Sequence, residues 1–73
     1  MSGLDLSCNN LTGEIPLELG KLQGIHAINL SHNRLAGSIP KSFSDLTELE
    51  SLDLSHNRLN GKIPPQLIEL TFL

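Results

Sequence analysis

The phrase LDLSCNNLTGEIP at residues 4–16 returns as INLSHNRLAGSIP at 28–40 and as LDLSHNRLNGKIP at 52–64, a constant interval of 24 residues. Self-similarity at a fixed period of about 20 to 50 residues marks stacked supersecondary units, none of which can bury its apolar face alone. A chain with such a period folds as an array whose successive turns cover one another. The expected organisation is one array over residues 1–73, with repeat cores 4–27, 28–51 and 52–73.

Superposing the copies separates positions fixed by packing from positions free to vary. Apolar residues recur in seven columns: Leu4/Ile28/Leu52, Leu6/Leu30/Leu54, Leu11/Leu35/Leu59, Ile15/Ile39/Ile63, Leu19/Phe43/Leu67, Leu22/Leu46/Leu70 and Ile25/Leu49/Leu73. The first two flank Asp5, Asn29 and Asp53, the alternation of a short strand with one buried face. Asn9, Asn33 and Asn57 follow where the chain must leave the strand. A short amide suits a turn, and a stack of buried amides must find backbone partners, so these residues are expected to form a structural ladder.

Gly13, Gly37 and Gly61 mark a bend that lacks room for a side chain or needs positive φ. Two residues later comes Ile-Pro, and Pro16, Pro40 and Pro64 each fix a stiff corner and hold the preceding isoleucine extended. Beyond the proline, apolar residues three apart (Leu19 and Leu22, Phe43 and Leu46, Leu67 and Leu70) suit a 3₁₀ or very short helical segment.

The resulting pattern, LxLxxNxLxGxIPxxLxxLxxL, resembles the plant-type extracellular leucine-rich repeat over essentially the whole chain. G-x-I-P at its fixed offset from the asparagine separates this class from other leucine-rich repeats. LDLSHNRLNGKIPPQL further resembles the membrane-proximal repeats of plant receptor-like proteins and receptor-like kinases. The resemblance implies an α/β repeat: a right-handed solenoid with short parallel strands on a concave face and 3₁₀, short helical or extended segments elsewhere. It also implies a non-catalytic module that binds a protein or peptide ligand or a co-receptor kinase, in immunity or development. The parent would lie at the plasma membrane with its repeats outside the cell. The same repeat is similar to that of secreted polygalacturonase-inhibiting proteins, and a spacer that touches nothing is a third possibility.

Outward positions of the strands form five columns: Ser2/His26/Glu50, Gly3/Ala27/Ser51, Asp5/Asn29/Asp53, Ser7/Ser31/Ser55 and Cys8/His32/His56. Specificity would reside there, so the candidate contacts are His26, Asn29, Ser31, His32, Glu50, Asp53, Ser55 and His56. Asp53, Ser55 and His56 mimic a hydrolase trio, but neighbours on a flat strand supply neither a base within reach nor an oxyanion site. Cys8, His32 and His56 are metal-ligand types on successive turns. The outer two would lie about 10 Å apart, and no fourth ligand is apparent, so no metal or other cofactor is expected. Asn-x-Ser/Thr acceptors occur at Asn10 and Asn29, relevant where the parent is secreted.

A net charge of −3, no Lys/Arg run and only Phe43 and Phe72 as aromatics argue against nucleic acid binding. No apolar run is long enough for a membrane span, and MSGLDLS lacks the features of a secretory signal. Cys8 stands alone, so no internal disulfide can form. Met1 falls in the register of Ile25, and Leu73 stops where another strand is due. The paired-cysteine flanks of the resembled family are also missing. The array is therefore expected to be incomplete at both ends and to adjoin further repeats of a larger parent.

Overall fold

A computed structural model describes residues 2–73. Met1, expected in the register of Ile25, lies outside the described residues. Each turn opens with a three-residue strand: β1 (Gly3–Asp5), β3 (Ala27–Asn29) and β5 (Ser51–Asp53). Gly3 pairs with Ala27 and Ala27 with Ser51, all parallel, so the 24-residue sequence period is the register of the sheet.

The middle turn shows the packing most completely. Ile28, Leu30, Leu35, Ile39, Phe43, Leu46 and Leu49, one from each apolar column, are all buried. Every residue of the core cluster belongs to one of the seven columns. The columns hold less well at the ends, for a reason of geometry: a turn with no neighbour on one side leaves that side open. Leu6 is 36% exposed and Leu73 is 66% exposed, so neither fills the inward place expected of it. Leu73 has a second cause. The last strand, β7 (Thr71–Phe72), pairs Thr71 with Leu52 and Phe72 with Asp53, an interval of 19 residues rather than 24, and the chain joins the sheet before Leu73 can turn inward.

A second parallel sheet, beyond the extended segments expected there, runs along the other edge: β2 (Thr12–Glu14), β4 (Arg34–Gly37) and β6 (Arg58–Leu59). Its partners lie 22 residues apart, as in Thr12 with Arg34 and Ala36 with Arg58. Because side chains alternate with period two, a stagger of two residues keeps Leu35 and Ile39 facing the core. Gly37, at φ +81, ends β4 in the positive-φ conformation the sequence suggested, with Gly13 and Gly61 alike at +79 and +81.

Pro16, Pro40 and Pro64 then cap the 3₁₀ segments Leu17–Lys21, Lys41–Asp45 and Pro65–Leu70. The proline carbonyls accept from the amides three residues on, in Leu19 (3.2 Å), Phe43 (3.1 Å) and Leu67 (2.8 Å), while the missing proline N–H costs nothing at a cap. The first two 3₁₀ segments pack closely, with Ser42 Oγ donating to Leu17 O at 2.9 Å. Gly20 sits buried at that contact, where an added Cβ would come within 2.8 Å of the Ser42 carbonyl carbon.

Turns are also sewn together by the asparagine column. Asn33 Oδ1 accepts from the backbone N–H of Asn9 (3.0 Å) and Leu11 (2.9 Å) in the preceding turn. Its Nδ2 donates to Leu6 O there (3.0 Å) and, within its own turn, to Leu30 O (3.0 Å) and Ser31 O (3.2 Å). Asn57 repeats the arrangement on Leu35 N–H, Leu30 O, Leu54 O and Ser55 O. Asn9 departs from the expected buried ladder. With no earlier turn among the described residues to serve, it is exposed, and its Nδ2 donates to Ser7 O at 3.0 Å.

Asn33→Ala strands backbone groups of two turns and is expected to lower stability by on the order of 3 kcal/mol, against about 1 kcal/mol or less for Asn9→Ala, in urea denaturation. Gly20→Ala is expected to cost about 1–3 kcal/mol through overpacking. In the same assay Gly3→Ala should stay within about 0.5 kcal/mol, since its Cβ would come no nearer than 3.7 Å to Ala27 O.

Candidate functional site

With leucines pointing into the solenoid, the residues between them cover the outer face of the β1-β3-β5-β7 sheet. His26 and Glu50 are exposed, and Asn29 and Asp53 are half-buried in one row with Asp5. Gly3, Ala27 and Ser51 form the floor of a shallow depression of about 340 Å³ bordered by Asp5, Asn29 and Asp53. A larger hollow of about 660 Å³ lies elsewhere, between Ser38–Lys41 and Lys62–Gln66. It gathers none of the eight candidate contact residues.

Each member of the polar row is fixed by the serine column beside it. Asp5 Oδ1 accepts from Ser7 N–H (2.9 Å) and Ser7 Oγ–H (2.6 Å). Asp53 Oδ1 accepts likewise from Ser55 (3.1 and 2.7 Å). Asn29 Oδ1 accepts from Ser31 N–H at 2.9 Å. The serine hydroxyls, followed by the serine amides, hold both carboxyl groups below the usual carboxylate range, and His32 and His56 add a weaker pull on Asp53.

These bonds correct one nomination. Ser31 was expected to face outward, but it is 5% exposed. The chain turns inward after the strand, and Ser31 O accepts from Cys8 N–H and Asn33 Nδ2. Ser55 is half-buried, and its hydroxyl is spent on Asp53. Asp53, Ser55 and His56 consequently do not align as a hydrolase trio, because the Ser55 hydroxyl donates to the Asp53 carboxylate, whereas a trio needs it to donate to the imidazole.

That imidazole stacks on its neighbour. The rings of His32 and His56 lie 4.1 Å apart between centroids with planes 13° from parallel. Both residues, like Cys8 before them, occupy the left-handed backbone region at φ 55, 57 and 57. The sequence reading placed these three in one column but missed the corner. The signal available was the place itself, directly before the ladder asparagine, where the chain reverses and where histidine is among the residues that adopt positive φ most readily. Among the described residues no three His, Cys, Asp or Glu side chains converge to hold a metal ion.

Two further features escaped the sequence reading. Phe72, paired in register with Asp53 and 61% exposed, extends the polar row by one strand. Asn10 is also in the left-handed region, at φ 55. Of the two Asn-x-Ser/Thr sequences, the first has Asn10 and Thr12 exposed, whereas in the second Asn29 is half-buried and Ser31 buried.

Stacked turns with inward leucines, an amide ladder and parallel strands in a 24-residue register agree with comparison to known proteins. A family model described as "Leucine rich repeat" matches residues 1–59. The chain belongs to the leucine-rich repeat family. A curated relative, Cuscuta receptor 1 of Solanum lycopersicum, is 68% identical over 28 residues, which are 38% of this chain and 2% of that receptor. The family match agrees with the stacked fold of the chain, while the matched stretch is a small part of that receptor's length.

Because Asn29 fills the acceptor role that Asp5 and Asp53 fill in their own turns, Asp5→Asn/Asp53→Asn is expected to preserve the fold. Both carboxyls are held low in the folded chain, so their contribution is full above the unfolded carboxylate pKa, about 3.9, and is lost as pH falls through the lower folded value. Thermal melts should therefore show wild type losing stability below about pH 4 more steeply than the double variant.

Proposed function

We propose that this leucine-rich repeat chain is a non-catalytic recognition module, part of the extracellular ectodomain of a plant cell-surface receptor at the plasma membrane. In signalling, whether immune or developmental, it contributes surface for a protein or peptide ligand or for a co-receptor kinase. One observation carries the reading. On a backbone that repeats at 24-residue register, outward positions vary between turns: His26 stands where the next turn has Glu50, and Asn29 where its neighbours have Asp5 and Asp53.

A rigid scaffold presenting variable side chains is suited to selecting a partner, since little conformational entropy is lost on binding. The family match and the receptor named by the relative support the same reading. Among the described residues no helix is long and apolar enough to cross a membrane. The recognition surface is centred on His26, Asn29, His32, Glu50, Asp53 and His56. Exposed Asn10 is the better-placed glycan acceptor, and a glycan on Asn29 would cover part of the binding row.

Two experiments test this. Alanine substitutions at those six positions in the full-length parent are expected to weaken partner binding, individually by about 0.5–2 kcal/mol, in surface plasmon resonance. Alanine at exposed Lys62 and Glu69 should leave it unchanged, and equal effects from both sets would refute the face. Mass spectrometry of plant-expressed parent is expected to find sugar at Asn10 and none at Asn29.

A further inference from the structure

The 24-residue stacking sorts the charges by face. The outward strand columns hold all three histidines, His26, His32 and His56, together with Asp5, Glu50 and Asp53. All five basic residues, Lys21, Arg34, Lys41, Arg58 and Lys62, lie outside those columns, as do the other five acidic ones. The charges away from the sheet face cancel, so the chain's formal −3 resides on that face. No Lys or Arg is among the groups acting on Asp53.

Resting on the recognition role proposed above, we infer that the outer sheet face takes a cationic, extended segment of a protein partner, with Lys or Arg side chains against Asp5 and Asp53, and releases it as the face histidines take up protons. The carboxylates are arranged for this. Each commits Oδ1 to its own serine, so the orientation of the group is fixed and Oδ2 is left for a partner. Small side chains at Gly3, Ala27 and Ser51 leave the depression that lets a backbone approach.

Asp5 and Asp53 are separated by two strand spacings, about 10 Å. Three residues of polyproline-type extended chain rise about 9 Å and return to the same side. A segment lying across the strands with a basic residue at every third position therefore meets both carboxylates. Phe72, one strand beyond Asp53 and exposed, places an aromatic side chain at the end of the row.

The groups that oppose such a segment are equally explicit. His26 stands in the column of Glu50, and the His32/His56 stack lies close enough to Asp53 to act on its charge. Histidine changes charge between about pH 8 and pH 5. Three imidazolium charges would offset three carboxylates and, in the stacked pair, repel one another.

The test uses the full 73-residue chain and three fluorescein-labelled peptides built on Pro-Pro-Xaa repeats, with Xaa as Lys, Gln or Glu. Binding is read by anisotropy and located by backbone amide shifts. The Lys peptide is expected to shift amides of β1, β3 and β5 and to bind about tenfold more tightly than the Gln peptide at about pH 7.5. Asp5→Asn/Asp53→Asn should remove that advantage, while Glu18→Gln/Glu69→Gln, an equal charge change away from the face, should keep it. At about pH 5.5 the Lys peptide should bind several-fold more weakly, and His26→Gln/His32→Gln/His56→Gln should abolish the pH effect. Equal binding of Lys and Gln peptides on the strand amides would overturn the cationic inference and leave the recognition role standing. Shifts confined to other amides, or no binding at millimolar peptide, would overturn the inference and count against the face itself.

Discussion

The carboxamide of Asn33 is the joint on which the rest of the structure depends. A chain that reverses direction after each short strand leaves backbone N–H and C=O groups pointing into the stack, where water is excluded and an unpaired group is costly. One amide answers five of them, in two successive turns, with bonds of 2.9 to 3.2 Å. Because its oxygen reaches back 24 and 22 residues, the amide also measures out the repeat. A turn longer or shorter by one residue would bring the wrong backbone group to the joint and put the leucines on the outer face. Burial of leucine columns stabilises the stack, but the amide makes one register the favoured one.

Most of that was legible from the sequence because it repeats. Seven apolar columns, the asparagine ladder, the positive-φ glycines and the proline corners are all periodic, and a fixed interval turns them into a stack. What stayed hidden was either not periodic or belonged to an end. Gly20 has no equivalent small residue at Ile68, so nothing in the pattern foretold that two 3₁₀ segments press together there. The second sheet was obscured by the glycine inside each Leu-x-Gly-x-Ile run, although that run alternates with period two. Leu6, Asn9 and Leu73 follow the pattern in sequence and break it in space, because a column works only between two neighbouring turns.

The candidate site was partly legible for the same reason. Strand alternation located Asn29 and Asp53, while His26 and Glu50 are exposed just before the strands, at positions that strict alternation would have turned inward with Ile28 and Leu52. Alternation ends with the strand, however, and Ser31 lies beyond its last residue, Asn29. From there the left-handed residue His32 turns the chain, Ser31 is drawn under it, and the serine column serves as a clamp on the carboxyl row. The corner that buries Ser31 also brings His32 and His56 face to face.

The division of labour follows from these constraints. Inward leucines, the ladder amide, glycine and proline can hardly change without strain or a stranded backbone group, so the scaffold is nearly the same in every turn. A side chain between two leucines touches its own serine and the equivalent positions of adjacent strands, and it can change sign or size at little cost to the stack. Charge can therefore accumulate on the sheet face without disturbing the core, and it has done so, with carboxylates and imidazoles gathered there and every lysine and arginine elsewhere. Had Arg34 or Lys41 stood among Asp5, Glu50 and Asp53, internal ion pairs would have consumed the field of the face. Their placement on the second sheet and the 3₁₀ segments leaves that field directed outward.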